Sequence, residues 1–63
     1  MGKLNTGANI AGADAFYETL LAAHEGLSKE ESDALNARLI LILCNHIGDR
    51  AVLAEALAAA RKR

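Results

Sequence analysis

The sequence contains no proline and a single cysteine, Cys44. Without proline, nothing breaks a helix from within. With one thiol, no internal disulfide can form, and Cys44, set in an apolar run, reads as a small buried hydrophobe in a reducing cytoplasm. A structural metal is nearly excluded too. One Cys and two His fall short of a four-ligand site unless carboxylates arrive from distant positions. Glycine-rich phosphate loops, Walker sequences and zinc spacings are also missing, so no metal or cofactor is expected.

Neither sign of charge dominates, with seven basic against eight acidic side chains. Nucleic-acid binding usually shows a basic excess gathered on one face. Here the basic residues are scattered apart from Arg61-Lys62-Arg63, which suits the negative end of a helix better than a phosphate-binding tail. The tight link Ile47-Gly48-Asp49 allows a helix-turn-helix reading. Its recognition helix would open Arg50-Ala51-Val52-Leu53-Ala54-Glu55, with one basic residue and no amide side chain for base edges. No nucleic-acid partner is expected. The longest wholly apolar run is six residues, against the ~20 needed to cross a membrane. Gly2-Lys3-Leu4-Asn5-Thr6-Gly7 lacks the apolar block of a secretory signal. Met1-Gly2 followed by Thr6 fits the myristoylation pattern, but nothing beside it supplies the second signal that stable anchoring needs. A cytoplasmic protein without a membrane partner is the expectation.

What the chain does have is the run Leu39-Ile40-Leu41-Ile42-Leu43-Cys44, closed by Ile47. It sits between the start and stop signals of an α-helix, and a helix that is apolar on every side must be covered on every side. Sixty-three residues make one domain, near the size where a lone core is marginal. With disulfide and metal set aside, oligomerisation or docking remains.

The expected architecture is all-α: a disordered N-terminal arm over residues 1–12, then a three-helix unit over 13–63. The arm holds three of the five glycines and two asparagines without a sustained period. The first helix is expected over about 13–25, with Phe16, Leu20 and Ala23 on one stripe and Tyr17, Leu21 and His24 beside it. Gly26 then takes a left-handed position and Leu27 folds back. Ser28-Lys29-Glu30-Glu31 is a capping box opening the second helix, over about 29–47. Gly48 ends it and Asp49 caps the third, over about 50–62. That helix is rich in alanine, which favours the helix and lets a neighbour approach closely. The run 39–43 could suit a buried strand, but the box at Ser28, the helical pattern of Leu35-Asn36-Ala37-Arg38 and the lack of a second strand decide for a helix.

Read by face, Leu35, Leu39, Ile42 and His46 form one stripe of the second helix, and Asn36, Ile40, Leu43 and Ile47 a second. Leu41 and Cys44 fill the remaining arc. The flanking helices are short and should cover about two sides. The uncovered side would mark an interaction site, satisfied by a symmetric dimer or by a larger protein. Its expected carriers are Leu39, Ile40, Leu41, Ile42, Leu43 and Ile47.

Polar residues interrupt this helix. Arg38 and Asn45 lie seven apart and share a side, and Asp49 continues the line. One reading is a polar site at Arg38, Asn45, His46 and Asp49, in which Asp49 orients the His46 imidazole to bind a small molecule or move a proton. The plainer reading makes Asp49 a cap, has Asn45 and His46 satisfy backbone carbonyls at the helix end, and pairs Arg38 with a carboxylate. A buried Asn or Arg can also fix the register of an assembly. No catalytic residue is assigned. Cys44 and His46, two apart on a helix, point away from each other.

The blocks Asp14-Ala15-Phe16-Tyr17-Glu18, His24-Glu25-Gly26-Leu27 and Leu35-Asn36-Ala37-Arg38-Leu39-Ile40-Leu41-Ile42-Leu43 through Asn45-His46-Ile47-Gly48-Asp49 resemble a family of very short bacterial proteins known only as a domain of unknown function. Genes of that family often lie beside flavin-dependent aromatic hydroxylases and other catabolic oxidoreductases. The resemblance therefore implies a small accessory partner of such an enzyme and assigns no catalytic residue.

Overall fold

A computed structural model describes residues 2–62. Its elements are α1 (Ala13–Ala23), α2 (Lys29–Ile47) and α3 (Arg50–Arg61), with no strand among the described residues. Residues 2–12 carry no helix or strand.

Each helix end has a local cause. α1 starts after Gly12, whose positive φ of 63° and lack of a side chain leave the first turn without a side-chain cap. It closes at Ala23, short of the expected Glu25. The amides of His24 and Glu25 donate to the carbonyls of Leu21 and Ala22, three residues back, at 3.0 and 3.1 Å. Such bonds tighten the chain out of α-geometry. Gly26 then takes φ 75°, and the Leu27 amide returns to the His24 carbonyl at 3.2 Å.

α2 opens on the reciprocal box. The Glu31 amide donates to Ser28 Oγ at 3.1 Å, and the Ser28 amide donates to Glu31 Oε1 at 2.9 Å. Lys29 and Asp33, one turn apart, form an exposed ion pair at 2.8 Å. Gly48 ends the helix at φ 69°, its amide donating to the Cys44 carbonyl. Asp49 Oδ1 accepts from the amides of Ala51 and Val52 at 2.9 and 3.2 Å and so starts α3.

Tertiary packing is sparse. No pair of helices packs along a shared length, and no described side chain is buried. The half-buried positions are Leu20 and His24 of the first hairpin arm, Ser32, Leu35, Leu39 and Cys44 of α2, and Val52, Leu53 and Ala56 of α3, with Leu4 and Asp49 outside the helices. The cover expected over two sides of α2 is not formed as helix-on-helix packing. α1 is 11 residues against 19 in α2, about 16 Å of helix against about 28 Å. The side chains of α3 that face inward include alanines too small to close over leucine and isoleucine.

The surface reflects this. The chain exposes 5761 Å², whereas a compact monomer of this size exposes about 3,900 Å². Its Cα radius of gyration is 13.5 Å, against about 10.6 Å for a compact globule of 63 residues.

Candidate functional site

The apolar run of α2 is displayed rather than enclosed. Leu41 is 71% exposed, Ile42 64%, Ile40 59%, Ile47 49% and Leu43 48%, while Leu39 is half-buried. Leu39 to Leu43 lie at consecutive positions of one helix, so about 100° separates each from the next, and Ile47 follows one turn after Leu43. They form a band around the helix instead of a single stripe.

α3 continues the band on one side. Ile40 and Cys44 of α2 and Leu53, Ala56, Leu57 and Ala60 of α3 line an open groove of about 310 Å³. The four α3 residues share one face, at spacings of three, one and three, which is the helical repeat. Leu57 on its rim is exposed. A second hollow, about 410 Å³, lies between the arm and the start of α1, lined by Asn5, Gly7, Ala8, Asn9, Ile10 and Ala13.

The polar residues Arg38, Asn45, His46 and Asp49 form no hydrogen bond or ion pair with one another among the described residues. Arg38, Asn45 and His46 are exposed and make no side-chain hydrogen bond or ion pair among the described residues. Asp49 is half-exposed and makes no hydrogen bond or ion pair with His46. Besides the two α3 amides, its Oδ2 accepts from the Gly2 amide at 3.2 Å. The amides of Val52 and then Gly2, joined by that of Ala51, hold its carboxyl below the usual carboxylate range against the weak opposing effect of desolvation. A carboxylate satisfied by backbone amides is a cap. Among the described residues, no group of three or more His, Cys, Asp or Glu could hold a metal ion, and no helix is long and apolar enough to cross a membrane.

Two features of this surface escape a reading of α2 alone. Leu57 and its α3 neighbours extend the band, and their spacing carried the signal. Gly2 meets Asp49 across 47 positions, and a Cβ on Gly2 would lie 3.3 Å from Val52 Cγ2. No local pattern announces such a contact.

An all-helical chain with a displayed apolar band and no assembled polar centre defines the class. Residues 4–62 match the family described as Protein of unknown function (DUF2783), and the chain belongs to that family. No curated protein and no solved structure matches it.

Proposed function

We propose that the protein is a non-catalytic helical interaction module, which buries the apolar band of α2 and the adjoining face of α3 against another protein surface. The observation that carries this reading is an all-helical chain in which no described side chain is buried. Its surface exceeds that of a compact monomer by about 1,900 Å². Contiguous apolar patches of more than a few hundred Å² are rare on soluble monomers unless something covers them.

Arg38, Asn45 and His46 border the band and set specificity, because a wrong partner leaves them desolvated and unpaired. The module acts as a homodimer or as a small accessory subunit in the cytoplasm. A larger oxidoreductase, flavin-dependent by the sequence resemblance, is the class of protein such a subunit would serve. The reading of Arg38, Asn45, His46 and Asp49 as a ligand site gains no support from side chains that stand apart.

The test is the thermal melt of a demonstrably monomeric form, obtained by dilution and followed by circular dichroism. The expected outcome is a broad, non-cooperative loss of helix, since a chain without a core has nothing to lose all at once. A sharp cooperative melt from a proven monomer would falsify the interaction reading.

A further inference from the structure

Resting on the interaction reading above, we infer that the occupant of the band is a second copy of this chain, with the two α2 helices packed antiparallel along Ile40, Leu43 and Ile47.

Area argues first for a second copy. The excess of about 1,900 Å² per chain amounts, over two chains, to an interface within the 2,000–5,000 Å² range of obligate homodimers. Dimension argues second. A radius of gyration of 13.5 Å is too large for 63 residues but close to the about 13.8 Å of a compact globule of 126. Each chain already spans the size of the pair, as expected when two copies share one centre.

The seam follows from the wheel. Asn36, Ile40, Leu43 and Ile47 recur at spacings of four, three and four, the repeat of packed helices. All four are exposed. The half-buried Leu35 and Leu39 lie to one side of this stripe and the half-buried Cys44 to the other, so the stripe is the open floor between two partly covered sides.

Direction follows from charge. The first turns of α2 carry Glu30, Glu31 and Asp33 against Lys29, whereas Asp49 and Arg50 offset each other past its far end. Antiparallel packing keeps the two acidic ends apart and opposes the two helix dipoles. Parallel packing would set the acidic first turns side by side. With the two-fold axis between positions 41 and 42, Ile40 meets the second copy's Leu43 and Asn36 comes level with the second copy's Ile47.

The test uses the full chain. Light scattering over a micromolar dilution series gives the mass. Spin labels on Glu30→Cys, in a Cys44→Ala background whose mass is checked in the same way, give the direction from an exposed site outside the seam. The expected results are twice the 6.6 kDa of one chain and a label separation of about 35 Å, set by the helical rise over the offset between the two sites. A one-chain mass with a non-cooperative melt overturns the second copy and leaves the interaction reading standing. A one-chain mass with a cooperative melt overturns both. A mass of three or more chains overturns the pair, and labels about 10 Å apart, the spacing of adjacent parallel helices, overturn the antiparallel arrangement.

Discussion

Asp49 concentrates three amides on one carboxylate, two from the first turn of α3 and one from Gly2. Because these bonds favour the ionised form, its pKa is lowered in the folded chain. Its contribution to stability is therefore complete above the unfolded value near pH 4, and is lost as pH falls through the lower, folded value. Asp49→Asn keeps a capping oxygen but not the charge. The expected result is a stability gap between wild type and this variant at pH 7 that closes on acidification below about pH 4, measured by denaturant midpoints at each pH. Ser28 offers a charge-free counterpart. Ser28→Ala removes one half of the capping box and should cost about 1 kcal/mol in the same measurement. Lys29→Ala should change little, because the pair with Asp33 is 88% and 63% exposed at its two ends and screened by water.

At the scale of the element, α2 shows what a sequence can and cannot disclose. Its bounds were legible because Ser28, Glu31, Gly48 and Asp49 are local signals, each acting on backbone groups within four residues. The end of α1 was less so. Gly26 announces a turn, but nothing in His24-Glu25 announces that their amides reach back three residues rather than four. The apolar composition of α2 was equally plain, whereas its degree of cover depends on how two other helices lie, which no local pattern encodes. Two substitutions separate these levels. Gly48→Ala forces a side chain into φ 69° and should destabilise the α2–α3 turn by about 1–2 kcal/mol without changing the surface that associates. Leu43→Asp leaves the caps untouched and should abolish association, because a carboxylate in an apolar seam has no partner. Light scattering distinguishes the two.

For the whole molecule, the all-α fold class was readable from the sequence. Size, a lone thiol and a band of leucine and isoleucine are the sequence features on which the proposed assembly rests. That the arm returns to the α2–α3 turn is a long-range fact. The polar quartet was read from spacing, and spacing alone could not say that Asp49 would be occupied by amides before His46 could use it. In the proposed pair the core forms between chains, so folding becomes a matter of mass action. The midpoint of thermal unfolding should fall as the protein is diluted; a midpoint independent of concentration would speak for a self-sufficient monomer.

The Gly2–Asp49 hydrogen bond closes residues 2–49 into a ring and leaves α3 outside it, so the two sides of the chain are not equivalent as points of attachment. A fluorophore or affinity handle added ahead of Gly2 would emerge beside the α2–α3 turn and crowd the Val52 side of α3. One added after α3 would leave from the tip of a helix whose last turn is exposed. Reporter fusions at the second position should leave the protein's behaviour intact, and those at the first should disturb it.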